Sequence, residues 1–195
     1  MAAVEECGGQ AVLKAVVPGL VHKSDAGGVV VGVTLGDAPT AYAQVAALGG
    51  EVWVEEQIDG GVEALVGLSP SPLGTVLTVG VGGVLTEVMA DVALRVLPVS
   101  RHDVESMIDE TRLGTLLAGV RGAPRADRAA LVLAVERLAA LASSWPEGFE
   151  LDLNPVTVLP EGRGVRGLDA AYVAPAAPET PASPASPPTF LPDHA

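Results

Sequence analysis

His22, Lys23, Ser24 and Asp25 stand in a row just ahead of Gly27 and Gly28, in the stretch GLVHKSDAGGV. A neutral imidazole can act as a nucleophile or proton carrier, an ammonium supplies charge, and glycines let backbone N–H groups approach phosphate oxygens. The same residues also suit a polar turn in which Ser24 and Asp25 bond local backbone, and residue types alone fit both readings. Lys14 interrupts the apolar run from Ala11 to Val17. A buried ammonium needs a phosphate or a carboxylate to meet it, unless the side chain snorkels out from a sheet edge.

Near the other end, Asp152, Asn154 and Asp169 are oxygen donors on two strands expected to pair, with Asn154 and Asp169 facing each other. Magnesium accepts such a set, taking a few protein oxygens and completing its octahedron with water and phosphates. An Asn-Pro beside a strand also reads as a turn. The segment VWVEEQIDGGVEALVG offers Glu55, Glu56 and Glu63, whose carboxylates can accept from an adenine amino group or ribose hydroxyls, or can be solvated strand charges. The glycines of GVGGVLTEV lack the dinucleotide fingerprint and read at least as a bend. There is no P-loop and no Gly-x-Ser-x-Gly elbow. His102, His194 and Cys7 have no catalytic setting.

The elements that must carry these residues follow from periodicity and turn chemistry. Strands are expected over Ala11 to Val17, Gly28 to Val33, Thr75 to Val79 and Val92 to Leu97. Two more, Glu51 to Ile58 and Val62 to Leu68, flank Asp59, Gly60 and Gly61, a connection short enough for antiparallel pairing. Asp37 to Leu48 reads as a helix, Ser100 can cap a helix over Arg101 to Ile108, and Asp127 can cap one running to Leu141. The segment ELDLN, Pro155, the strand Val156 to Leu159 and the return at Val165 to Leu168 make a closing hairpin. From 174 onward Pro, Ala and Ser dominate, so a flexible tail over 174–195 is expected behind one domain over 1–173. Hairpins and sequential helices without strict alternation give an α+β fold.

Apolar residues make up 49% of the 195 and aromatics only 3%, so Ala, Val and Leu must build the core. A net charge of -13 with a pI near 4.4 excludes a nucleic-acid partner held by clustered cations. One cysteine allows neither a disulfide nor a zinc site, and the start carries no signal pattern. No long apolar run suggests a membrane partner, and a cytoplasmic location is the expectation.

Taken in order, VLKAVVPGLVHKSDAGGVVVGV, VEEQIDGGVEALVG, GVGGVLTEVMADVALRVLP and ELDLNPVTVLP with GLDA resemble the ATP-grasp domain of the ADP-forming acetate–CoA ligase family. A more distant similarity reaches the β subunit of succinyl-CoA synthetase. The resemblance implies an ATP-grasp fold of two α+β lobes holding ATP or ADP with Mg2+. It implies that Lys14, with Lys23 beside the histidine, binds phosphate and that Glu55, Glu56 and Glu63 form the hinge around adenine and ribose. Asn154 and Asp169 then match the magnesium ligands, Asp152 the partner of a phosphohistidine, and His22 the phosphate relay to a CoA-binding α-type subunit or domain. Fewer residues precede Lys14 than in the family, so a shortened first lobe is expected. The alternative is a non-catalytic regulatory or degenerate module of the same fold.

Overall fold

The computed structural model describes residues 1–17, 26–83, 86 and 90–175. The loop holding His22 and Lys23, and the tail from 176 on, lie outside the described residues. Two antiparallel sheets organise the rest. The smaller has three strands in the order β2-β1-β3, with β1 at Gln10–Val16, β2 at Val29–Thr34 and β3 at Glu51–Glu56. The larger runs β6-β5-β4-β7-β8, with β9 also paired to β7. Its strands are β4 at Val62–Ser71, β5 at Gly74–Val81, β6 at Val92–Val96, β7 at Glu150–Val158, β8 at Val165–Gly167 and β9 at Ala170–Val173.

Alternation along β1 decides how the small sheet packs. Ala11, Leu13 and Ala15 are buried against Val4 of α1 (Ala2–Glu6) and Ala38, Ala41 and Val45 of α2 (Ala38–Ala46). Val12 and Lys14 must then point to the other face, because successive strand residues face opposite sides. The large sheet is built alike. Ala64, Val66, Leu68, Leu77 and Val79 face α3 (Arg101–Asp109), α4 (Arg112–Leu117) and α5 (Arg128–Ala142), which contribute Val104, Met107, Leu113, Leu131 and Val135 to one core. Its opposite face carries the row Leu94, Thr78, Gly67, Asp152 and Ala171, aligned by strand register. Among the described residues each sheet thus has helices on one face only, as the α+β expectation requires.

Helix starts follow the expected caps. Ser100 and Asp103 form a reciprocal capping box at α3. Asp127 accepts from the Ala130 N–H at α5 and also from the Gly164 N–H at 2.8 Å, tying the helix start to the β7–β8 turn. One expectation is corrected. Glu51–Glu56 and Val62–Ser71 are both strands, but they do not pair with each other: β3 joins β1, and β4 joins β5 and β7. Asp59, Gly60 and Gly61 therefore cross between sheets instead of closing a hairpin. Gly61, with φ +94°, lies where a Cβ would stand 2.6 Å from Thr157 Cγ2, so the crossing chain presses against β7. Helices α1 and α4 are two short elements that periodicity does not reveal, each being too brief to show a 3.6-residue repeat.

Among the described residues, no helix is long and apolar enough to cross a membrane.

Candidate functional site

Lys14 lies on β1 opposite Trp53 and two positions from Val12, which is opposite Glu55. Directly opposed residues share a face in an antiparallel pair, so Lys14 and Glu55 emerge on the same side of the small sheet. Their charges meet there, Lys14 Nζ donating to Glu55 Oε2 at 2.6 Å. The ammonium also donates to the backbone carbonyl of Leu168, which lies between β8 and β9 of the large sheet. A lysine in an apolar strand has thus found a carboxylate and a carbonyl. With its side chain 12% exposed, it spans from one sheet to the other.

Leu168 precedes Asp169, and the register that pairs Leu153 with Ala170 and Val156 with Gly167 sets Asp169 opposite Asn154. The Asn-Pro pair is no turn. Ala64 pairs Val156 while Val66 pairs Leu153, so Asn154 and Pro155 are two residues set against Leu65 alone, a bulge within a continuous strand. A bulge tolerates the missing Pro155 N–H and re-aims the neighbouring side chain. Asn154 Oδ1 accepts the Gly83 N–H at 2.8 Å. That donor fixes the amide orientation, because only the oxygen can receive an N–H.

Close approach explains the glycine cluster of 80–83. A Cβ on Gly82 would stand 2.3 Å from the Ala64 carbonyl oxygen, and one on Gly83, at φ +72°, would stand 1.7 Å from Glu63 Oε2. Thr86 Oγ1 donates to the Gly83 carbonyl at 2.8 Å. Glu63, Gly83 and Asn154 therefore meet at one end of the large sheet, whereas Glu55 joins Lys14 on the small one. Glu56 goes to neither. It opposes Ala11, whose side chain is buried on the helix-covered face, so Glu56 leaves the Lys14 side of the sheet.

Asp152 is two residues from Asn154 on β7, opposite Ala171. Its carboxyl is pushed above the ordinary Asp range, first by lost hydration among its neighbours and then by repulsion from Asp169. The residue is open to solvent at its strand position, so this is crowding by neighbouring groups and not deep burial. Two carboxylates close enough to repel, beside an amide oxygen with a lone pair left after Gly83, form a donor set suited to a hard divalent cation. Among the described residues, no group of three or more His, Cys, Asp and Glu side chains forms a fuller metal cluster. Cavities of about 320 and 370 Å³ lie elsewhere, one between helices near Arg101 and Arg125, the other beside Trp145 and Phe149. Neither is lined by Lys14, Asp152, Asn154 or Asp169.

The sequence marked Lys14, Glu55, Glu63, Asp152, Asn154 and Asp169. Absent from that set are the two backbone groups that join them, the Leu168 carbonyl and the Gly83 N–H. The glycine cluster was a visible signal for the second, since adjacent glycines mark close backbone approach.

Comparison with known proteins identifies the family and the fold. The ATP-grasp domain family matches residues 1–173. An ADP-forming acetate–CoA ligase I of Archaeoglobus fulgidus is 37% identical over 172 residues, which are 83% of this chain and 25% of that protein. The β subunit of the ADP-forming acetate–CoA ligase I of Pyrococcus furiosus is 32% identical over 163 residues, 77% of this chain and 70% of the subunit. The dinucleotide-forming acetyl-coenzyme A synthetase 1 of Ca. Korarchaeum cryptofilum, in complex with coenzyme A and Ca-AMPCP, superposes with a TM-score of 0.79 at 36% identity. That match covers 88% of this chain and 79% of the other. A second structure of the same enzyme, with coenzyme A and Mg-AMPPCP, has its phosphohistidine segment pointing towards the nucleotide binding site; its TM-score is 0.75 at 37% identity. The chain spans about a quarter of the length of the Archaeoglobus ligase.

Proposed function

We propose, starting from the fact that this chain belongs to the ATP-grasp domain family, that it is the nucleotide-holding part of an ADP-forming acid–CoA ligase. It works with a CoA-binding α-type subunit or domain and passes a phosphoryl group between an acyl phosphate and ADP through His22. The observation that carries this reading is the reach of Lys14 from the open face of the small sheet to the Leu168 carbonyl, beside Asp169. One cation and an oxygen-donor pair meet where the two sheets approach, and a di- or triphosphate with its metal requires both.

The residues divide the work. Lys14 neutralises phosphate oxygens, with Lys23 adding charge from the histidine loop. Glu63, just after the crossing segment and against Gly83, would serve the nucleoside. Glu55 and Glu56 belong to the same hinge sequence, and Glu55 faces Lys14. Asn154 and Asp169 would hold Mg2+, which supplies charge neutralisation on the phosphates when bound. Asp152, with its raised affinity for a proton, is suited to bond the imidazole N–H of a phosphohistidine and so fix its ring.

Chemically, an imidazole nitrogen of His22 attacks the phosphorus of an acyl phosphate. The N–P bond forms as the P–O bond to the acyl oxygen breaks, and the carboxylate leaves. A terminal phosphate oxygen of ADP then attacks the same phosphorus, restoring the neutral imidazole and giving ATP. The test runs this in reverse with γ-labelled ATP, Mg2+ and the CoA-binding partner. The wild-type chain takes up acid-labile, base-stable label at residue 22. A His22→Ala chain that still takes up that label overturns the relay.

A further inference from the structure

Lys14 is a four-carbon stem with a rotatable head, and such a side chain loses considerable rotamer freedom when it is held at one point. Its ammonium has three donors. Two are committed, one to Glu55 Oε2 at 2.6 Å and one to the Leu168 carbonyl. The two acceptors differ in kind. Leu168 belongs to the opposite sheet, so that bond depends on how the sheets meet, whereas Glu55 is on the neighbouring strand of the same sheet. The Lys14–Glu55 pair therefore lies within the small sheet. The carboxylate is 36% exposed and the lysine 12%, so the pair is partly desolvated and its attraction less screened than that of a surface pair.

Glu55 was read from the sequence, through the family, as one of three hinge carboxylates around adenine and ribose. Its placement argues for another role. Glu63 lies against Gly83 on the large sheet and Glu56 turns to the opposite face, so the three carboxylates occupy three separate environments. Among the described residues, Glu55 is the one of the three with an ionic partner, and that partner is the phosphate-binding candidate.

We infer that Glu55 is a positioning residue for Lys14: it holds the ammonium at the mouth of the cleft with one donor left for a phosphate oxygen, and it makes no contact with the nucleoside. The inference rests on the reading of Lys14 as the phosphate-binding lysine. It assigns Glu55 to phosphate affinity and Glu63 to the nucleoside end. The carboxylate's own charge works against a polyanion at close range. Its net benefit therefore comes from orientation, and it disappears when Lys14 is absent.

A double-mutant cycle separates these roles, because a residue acting through another contributes nothing once that other is removed. Binding of Mg·ATP and of adenosine is measured by calorimetry and ligand-observed NMR for wild type, Glu55→Gln, Lys14→Met and the double variant. Thermal melts accompany each, and Glu55→Asp serves as a second replacement. Glu55→Gln weakens Mg·ATP binding about tenfold, the order expected for a lost charge-assisted contact, and leaves adenosine binding unchanged. In the Lys14→Met background the same substitution causes no further loss of Mg·ATP affinity, and the repulsion it relieves can only strengthen binding. Equal losses for Mg·ATP and adenosine, an unchanged Mg·ATP affinity, or additive losses in the double variant each overturn the inference. Failure of the wild-type chain to bind Mg·ATP overturns instead the nucleotide reading on which it rests.

Discussion

Lys14 of the three-stranded sheet donates to the carbonyl of Leu168, the residue before Asp169 in the six-stranded sheet. One side chain thus joins the two sheets at a place where both carry polar groups, on faces that bear no helix among the described residues. A phosphate entering there would be met by the ammonium's remaining donor, in a charge-assisted hydrogen bond.

Lys14→Met should cost nucleotide affinity far more than stability. Charge-assisted hydrogen bonds contribute about 1.5–3 kcal/mol, which is roughly 10- to 100-fold in a dissociation constant. Glu55, already 36% exposed, can hydrate once its partner is gone. Calorimetry and a thermal melt on the same preparation check both halves of this prediction.

Asp152→Asn should raise the melting temperature at neutral pH. Its carboxyl binds a proton more tightly in the folded chain than in the unfolded one. The ionised form therefore costs stability above the raised pKa, and the cost lifts as pH falls through that value. The variant's advantage should shrink towards about pH 4, where the ordinary Asp carboxyl also protonates. Melts of both proteins across that range read the trend directly.

Asp127→Asn should show the opposite sign. Bonds from the Gly164 and Ala130 N–H groups lower the Asp127 pKa, so its stabilising contribution is full above the ordinary Asp value and is lost as pH falls through the lowered one. The substitution should depress the melting temperature at neutral pH, and the gap should close only in strong acid.

Gly82→Ala should destabilise the chain by about 1–3 kcal/mol, in the range of overpacked cores. The added methyl meets the Ala64 carbonyl at 2.3 Å, and a backbone oxygen cannot rotate away. Because Gly83 follows directly, Mg·ATP affinity should also fall through the displaced Asn154. Chemical denaturation and calorimetry test the two effects.

Much of this architecture is legible in the sequence. Alternation of Ala11, Leu13 and Ala15 with Lys14 fixed which side of β1 the ammonium would take, and the Ser100 and Asp127 caps marked two helix starts. Lys14, Asn154 and Asp169 stood out as candidates because a buried ammonium needs a partner and oxygen donors in strand register can share a cation. The crossing of Asp59–Gly61 between sheets was not legible, since a short glycine-rich connection suits a hairpin equally well and only tertiary packing against Thr157 decides. Nor was the bulge at Asn154, which depends on the count of residues in a strand distant in sequence. Backbone acceptors such as Leu168 leave no residue-type signature at all, since every non-terminal residue carries the same carbonyl.

The most direct test of the account is titration of Mg·ATP into the wild-type chain and into Lys14→Met, followed by calorimetry. The cleft reading predicts one site per chain in the wild type and roughly 10- to 100-fold weaker binding in the variant. Absence of binding to the wild-type chain, or equal affinity in both proteins, would contradict it.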